Sequence, residues 1–396
     1  MSIRPFRLFI VAGEASGDAL GARFVQQLRR DLGNRLLDLR GVGGEALAAE
    51  GLESVFPQED IAVMGFGPVV ARLPLLLRRI SDAAKAAAEF TPDLMLTIDA
   101  PDFGLRVDKK LRRLKPAVPI AHWVCPSVWA WRQGRARRMR PHVDRILALL
   151  PFEPEALARL GGPETVYVGH PLIERLDELR PDVDEARLRA DAAAPLILVL
   201  PGSRGSEIRH LMPAFGRTIA RIAQALPQAR FVLPAVPRLV DTISQVVADW
   251  PVKPEIVTGE AAKLAAFRQA RAALAASGTV TLELALAQVP TVAAYRGAGW
   301  EAALARRLIK LPTVILPNLI LGENIVPEFI QDDVTPDALA QGLLAVIPEG
   351  AARRRQLDGF AGVEREMRRA GPSPAANAVE AALALVEARA AAASGR

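Results

Sequence analysis

Cysteine is nearly absent from this chain. Of 396 residues only Cys125 carries a thiol, so no intramolecular disulfide and no cysteine-based zinc site can form. Aromatic residues reach only 5%, and no basic stripe is interleaved with stacking rings, which argues against nucleic acid as a partner. The four histidines do not pair at the spacing of a helical metal site: His122 reads as a strand residue, His142 lies in a basic stretch, His170 precedes a proline and His210 falls in a helix. Each is expected to be structural, and neither a metal nor any other cofactor is expected. No run approaches the roughly 18 uncharged apolar residues of a membrane span. The opening, MSIRPFRLFIVAGE, has an apolar run too short for a signal peptide and no cleavage-like site, so a cytosolic chain is expected.

Lysine is scarce as well, with 7 against 43 arginines, for a net charge of +6. Arginine grips phosphate oxygens through paired hydrogen bonds, so the bias suits phosphorylated ligands or an anionic lipid surface. The plainer account is a composition rich in Ala and Arg throughout. With 51% hydrophobic and 24% charged residues, the balance is globular, and the length suits two domains.

Short apolar runs alternate with helical stretches along nearly the whole chain, the signature of parallel sheets with helices on both faces. Strands are expected at 7–12, 94–98, 119–124, 145–149 and 165–168, then at 196–200, 230–234, 255–257, 272–276, 290–294 and 313–316. The two halves open alike. The run 8–12 enters the turn 13–18, and the run 196–200 enters 201–206; each turn leads into a helix with one apolar face. A charged, proline-flanked stretch at 178–195 reads as the linker. The expected division is an N-terminal Rossmann-like domain over 1–177, the linker, a second such domain over 196–365, and C-terminal helices over 366–396 that can pack back on the first domain. Ligands are expected in a cleft outside the carboxyl ends of the strands.

Several turns carry chemistry. Pro201-Gly202-Ser203-Arg204-Gly205-Ser206 offers backbone N–H groups at a helix start, with Arg204 as a fixed cation; many Gly-Ser loops do no more than turn. Ser277-Gly278-Thr279 opens another helix, and Glu283 lies about one turn inside it, where its carboxylate can accept from ribose hydroxyls or stand solvated. Two helix starts and a Glu in one domain favour a nucleotide diphosphate. Asp99 ends an apolar strand, where it can take a proton from a hydroxyl or, more commonly, cap the next helix. The turn Glu14-Ala15-Ser16-Gly17-Asp18 lacks the Gly-x-Ser-x-Gly spacing of a serine hydrolase, and Asp18 reads as a cap that can also contact a polar ligand. The stretch 62–80 carries Val63, Met64, Phe66, Val69, Leu73, Leu75, Leu76 and Leu77 beside arginines. It suits either an interfacial helix meeting lipid or a wedge between domains. Trp129, Trp131 and the arginines up to Arg140 form a basic and aromatic cluster that suits anionic lipid or phosphate.

The stretches VAGEASGD (11–18), AVMGF (62–66), IDAPDF (98–103), PSVWAWR (126–132), LPFE (150–153), VGHP (168–171), LPGSRGSE (200–207), ASGTVTLE (276–283) and LPNLILGE (316–323) together resemble lipid A disaccharide synthases. These are inverting bacterial glycosyltransferases with two Rossmann-like domains facing a central cleft, the GT-B arrangement. The resemblance implies transfer of 2,3-diacylglucosamine from its UDP derivative to the 6-hydroxyl of 2,3-diacylglucosamine 1-phosphate, giving a β-1,6 disaccharide and UDP. It implies Asp99 as general base and Arg204 as neutraliser of the leaving diphosphate. Gly202, Ser203, Ser277, Gly278, Thr279, Glu283 and Asn318 would hold the nucleotide sugar, while Glu14, Ser16, Gly17 and Asp18 would face the acceptor. It also implies a peripheral protein on the inner face of the inner membrane, with 62–80 as its lipid contact, and allows a homodimer that exchanges C-terminal helices. A UDP-sugar epimerase on the same fold is the alternative; it would lack the exposed apolar segment.

Overall fold

A computed structural model describes residues 4–61, 72–297, 313–371 and 373–394. It divides into two units, Met1–His170 with Arg369–Arg396, and Pro171–Arg368. The first unit is built on parallel strands β1 (Phe6–Ala12), β2 (Leu37–Val42), β3 (Glu53–Ser54), β4 (Leu94–Ile98), β5 (Ile120–Trp123), β6 (Arg145–Ala148) and β7 (Glu164–Tyr167), in the order 3-2-1-4-5-6-7. The second has β8 (Leu196–Leu200), β9 (Arg230–Ala235), β10 (Glu255–Thr258), β11 (Ala272–Ala276), β12 (Thr291–Tyr295) and β13 (Glu328–Ile330), also parallel, in the order 10-9-8-11-12-13. Both sheets are doubly wound. In each, the strand order reverses beside the first strand, between β1 and β4 and between β8 and β11. The turns that leave those strands are the ones singled out above.

The continuous apolar runs in β4, β8 and β11 are buried at every residue, as strands covered on both faces must be. One face of the first sheet packs on the helices Ala15–Leu32 and Pro374–Ser394 through Phe24, Leu28, Ala378, Val379 and Leu385. The other meets helices Leu73–Phe90 and Pro101–Leu114 through Ile80, Ala84, Phe103 and Leu111. The C-terminal helix is fastened to its unit by polar contacts too. Arg145 donates to the carbonyl of Ala381 at 2.7 Å, Asn377 donates to that of Val168 at 2.9 Å, and Arg389 pairs with Asp144.

Three expectations about local structure change. The stretch 178–195 lies inside the second unit and is folded, because its charges are used internally. Asp182 accepts from the N–H groups of Asp184 and Glu185 to cap helix Val183–Ala190, Glu185 pairs with Arg268 at 2.7 Å, and Arg189 reaches the carbonyl of Ala287 at 2.8 Å. Residues 313–316 form no strand. Pro317, with its φ preset, is the second residue of helix Leu316–Leu321, and the edge position is taken by β13. Strand β2 was not anticipated, since Leu37 and Leu39 alternate with Asp38 and Arg40 in a half-buried strand rather than a continuous apolar run.

Of the expected lipid-contacting residues, Val63, Met64, Phe66 and Val69 lie outside the described residues. Leu73 and Leu77 are 44% and 50% exposed on the first two turns of their helix; Leu75 and Leu76 are half-buried, and Leu76 packs on the core. Among the described residues no helix is long and apolar enough to cross a membrane.

Because Leu385 is 5% exposed within the first unit's core, Leu385→Ala should destabilise that unit by about 2–4 kcal/mol. Urea unfolding followed by circular dichroism would register this as a lower midpoint for one transition. An unshifted midpoint would mean that the C-terminal helix contributes no packing.

Candidate functional site

At the reversal of the second sheet, the turns after β8, β9, β10 and β11 enclose a cavity of about 440 Å³. Gly202, Ser203, Arg204, Ser277, Gly278, Thr279 and Glu283 all line it. Its electrostatics differ from the expectation of open amides at 202–206. Glu207, on the first turn of helix Gly205–Ala225, folds back and accepts from the N–H groups of Ser203 (2.9 Å) and Arg204 (3.1 Å). Those donors are thus used by the chain's own carboxylate, in the reciprocal manner of a capping box. Gly202 makes this fold-back fit: it stands at φ +107°, and a Cβ there would lie 2.1 Å from Glu207 Oε2. Arg238 donates to the Ser203 carbonyl at 2.7 Å and fixes the turn from the next strand's loop.

The helix Thr279–Leu286 is different. Its first residue is preceded by Gly278, with no side chain capping the exposed N–H groups, so neither Ser277 nor Thr279 caps it. This uncapped positive end opens on the cavity. Glu283 sits one turn in and pairs with Lys263 Nζ at 2.7 Å. Lys263 was not anticipated. Its only marker in the sequence is the turn Thr258-Gly259-Glu260 that ends β10, where Gly259 takes φ +86° before the helix Glu260–Gln269.

Asn318 does not line this cavity. It is 1% exposed, donates to the carbonyl of Val326 (2.9 Å) and to Asn324 Oδ1 (2.7 Å), and accepts from the N–H groups of Ile325 and Val326. With both ends of its amide engaged, it holds the 318–326 turn in shape.

In the first unit the same topological position brings together the turn 13–18 and Asp99. Asp99 and Ala100 both adopt left-handed backbone, φ +52° and +39°, a conformation costing non-glycine residues about 1–3 kcal/mol each. Gly13 is required against them, since a Cβ there would fall 2.3 Å from that of Ala100. The backbone turn also settles which role the Asp99 carboxylate takes. Helix Pro101–Leu114 has Ala100 at its N-cap and no side-chain cap, so Asp99 does not cap it. Its carboxylate is half-buried and receives a long contact, 3.4 Å, from the exposed Ser16 hydroxyl. Gly17 is buried against the Ile98 carbonyl, and Gln58 steadies the turn by donating to the carbonyls of Ala12 (3.0 Å) and Glu14 (3.2 Å). Asp18 turns away from this group: it is 5% exposed and accepts from the N–H groups of Gly44 (2.7 Å) and Ala46 (2.8 Å), capping the helix Glu45–Ala49. It is a cap, as its residue type indicates, but for a helix 26 residues further on.

Behind Asp99 lies a buried polar cluster. The Thr97 hydroxyl stands 2.9 Å from Asp108 Oδ2 and 2.7 Å from His122 Nδ1. Burial pushes His122 down to about 3, helped by Arg135, and pushes Asp108 well above the usual carboxylate range, so the imidazole is neutral at ordinary pH. Further along, the 126–132 loop is anchored by Glu153, which accepts from Trp129 Nε1 at 3.0 Å and from the N–H groups of Leu149 and Leu150. Among the described residues no group of three or more His, Cys, Asp or Glu is placed to hold a metal ion.

The family model for lipid-A-disaccharide synthetase matches residues 8–381. The lipid-A-disaccharide synthase of Nitrobacter winogradskyi is 52% identical over 93% of this chain and 92% of its own length. That of Rhodopseudomonas palustris strain HaA2 is 49% identical over 95% of each. Among solved structures, UDP-GlcNAc 2-epimerase from Neisseria meningitidis bound to UDP-GlcNAc superposes with a TM-score of 0.60 at 12% identity, covering 96% of this chain and 99% of that one. MurG of Acinetobacter baumannii gives 0.57 at 14% identity, covering 96% and 100%. At such identities these two likenesses speak for the fold alone.

The anchor of the 126–132 loop has a pH signature. Burial pushes the Glu153 carboxyl up to about 7, so the folded protein keeps a proton that the unfolded chain releases in the ordinary carboxylate range. Between those values the folded state binds more protons, and this group's stabilisation falls as pH rises. The melting temperature of the wild type minus that of Glu153→Gln should therefore decline from about pH 5 to about pH 8. A difference that stays flat would mean Glu153 titrates like an exposed carboxylate.

Proposed function

We propose a reaction course for this chain, which belongs to the lipid A disaccharide synthase family and is a glycosyltransferase. It moves 2,3-diacylglucosamine from UDP to the 6-hydroxyl of 2,3-diacylglucosamine 1-phosphate. The observation that carries the assignment of the donor site is the cavity at the β8/β11 reversal, where an uncapped helix start, Arg204 and Glu283 meet. The uridine ribose hydroxyls donate to Glu283 Oε1, while Lys263 holds the other oxygen. The diphosphate lies against the N–H groups that open helix Thr279–Leu286, within reach of Arg204.

Asp99 takes the proton of the acceptor 6-hydroxyl as that oxygen attacks the anomeric carbon, and the bond from that carbon to the UDP oxygen breaks. One displacement from an α-linked donor inverts the centre and gives the β linkage. Charge accumulating on the leaving diphosphate is met by Arg204 and the helix start, groups already oriented before the reaction begins. The two left-handed residues at 99–100 keep the carboxylate out of the capping role that would otherwise occupy it. Ser16, Glu14 and Gly17 shape the acceptor side of that turn. Asn318 and Asp18 act indirectly, by holding loops.

The exposed leucines at the start of helix Leu73–Phe90, together with the apolar stretch before it, support attachment to the cytoplasmic face of the inner membrane, where both acylated substrates reside.

Asp99→Ala should lower UDP release from the two lipid substrates by about 10²–10⁴-fold while UDP still binds. Near-normal turnover in that variant would remove Asp99 from the proton-transfer step. For the membrane, Leu73→Ser combined with Leu77→Ser leaves the core-packed Leu76 in place and should weaken sedimentation with liposomes. Undiminished sedimentation would assign those leucines no lipid contact.

A further inference from the structure

The helices Pro101–Leu114 and Gly134–Met139 are separated by a groove of about 250 Å³ that the reaction course above does not use. Five cations line it: Arg106 and Lys109 from one wall, Arg132, Arg135 and Arg138 from the other. The single acid among its lining residues is Asp102, which pairs with Arg135 at 3.0 Å. Arg106, Lys109, Arg132 and Arg138 have no acidic partner among the described residues. Four uncompensated positive charges around one concavity repel one another, and an anion relieves that repulsion. The field is felt at the groove's end, where the proton affinity of His142 is lowered by burial and then by Lys109, Arg113 and Arg112.

The walls are built for this. Asp102, Arg106 and Lys109 recur at four and three residues and so share one face of their helix. Arg132 adopts φ +51°, a strained conformation for a non-glycine residue, and its guanidinium stacks on Trp131 at 4.3 Å, although that ring remains 41% exposed. Arg135 is recessed, its side chain 17% exposed, and donates to the Pro101 carbonyl at 2.7 Å. A smaller cavity of about 110 Å³ shares Asp102, Arg132 and Arg135 with the groove and adds Ser127 and Trp131.

We propose that this groove binds a phosphomonoester dianion, and that the 1-phosphate of the acceptor is its occupant. The inference rests on the reading that Asp99 addresses the acceptor hydroxyl. Asp102 lies three residues beyond Asp99, so the groove begins within about 11 Å of it. The acceptor carries its phosphate on C1 and its reacting hydroxyl on C6, which branches from C5 on the other side of the ring oxygen, so the phosphate belongs near Asp99 and not upon it. A concave site with a recessed arginine fits a terminal phosphate with three free oxygens better than phosphodiesters spread over a bilayer plane, which meet protruding cations.

The test uses the full-length protein and glucosamine 1-phosphate, followed by phosphorus NMR titration. Glucosamine 1-phosphate should bind, glucosamine should not compete, and inorganic phosphate should. The double variant Arg106→Gln, Lys109→Gln should weaken the sugar phosphate about tenfold or more, whereas Arg113→Gln, on the same helix but outside the groove, should not. With the lipid substrates, the double variant should raise the KM of the acceptor and not that of the donor. Undiminished binding of glucosamine 1-phosphate, or an unchanged acceptor KM, overturns the proposal. So does a variant that loses only its binding to phosphatidylglycerol vesicles, which would give the groove to the bilayer. The titration needs no turnover, so repeating it in Asp99→Ala separates this site from the role of Asp99: binding should persist there even if that role fails.

Discussion

A parallel strand can be followed by another only after the chain has crossed back over a face of the sheet, so every strand-to-helix turn in such a sheet falls at one edge. In this chain the constraint operates twice. The winding reverses between β1 and β4 in one unit and between β8 and β11 in the other, and at the second reversal the turns enclose the cavity described above. Asp99, Arg204 and Glu283 each sit at one of those two reversals or within the first helical turn beyond it, while Lys263 reaches the second from the helix after β10. The crowding at these turns is met by glycine at Gly13, against the Ala100 side chain, and at Gly202, against that of Glu207, and by left-handed conformations at Asp99 and Ala100 where no glycine is present.

The two reversals are used differently. In the second unit, one helix start is neutralised internally by Glu207 and the other has no side-chain cap, and the proposed reaction course gives that second end, with Arg204, to the diphosphate. Lys263 then restrains Glu283 without burying it completely. In the first unit the helix start at 101 is uncapped by Asp99, and among the described residues that carboxylate has only a weak contact to Ser16. That carboxylate, held by strained backbone beside a buried cluster of Thr97, Asp108 and a neutral His122, is the one the proposed reaction course turns toward the acceptor hydroxyl.

Much of this was legible in the sequence because it is local. Apolar runs of five residues locate β1, β4, β8 and β11, three of them ending in Gly-containing turns and β4 in Asp99-Ala100-Pro101, and these turns with the helices they open name Asp99, Arg204, Ser277 and Glu283. What escaped was set by contacts distant along the chain or by charges with internal uses. Asp18 reads as a cap, but nothing local shows that it caps at Gly44 and Ala46. Asn318 lies in a stretch associated with the donor, yet its amide is consumed by residues 324–326. Glu207 reads as an ordinary first-turn acid until its two amide contacts are seen. Lys263 depends on the turn after β10, and the charged stretch 178–195 resembles a linker only while its ion pairs are unknown. The basic groove joins residues 102–109 with 132–142, which are separated in sequence by β5 and its loops.

This chain joins two acylated glucosamines with inversion at the donor's anomeric carbon. The most direct test is to supply the purified protein with UDP-diacylglucosamine and diacylglucosamine 1-phosphate, then determine the product's mass and its anomeric coupling. The account predicts one UDP released for each disaccharide that contains both acylated sugars, a single phosphate and a β linkage. Release of UDP without disaccharide, an α linkage, or an epimerised UDP-sugar would contradict it.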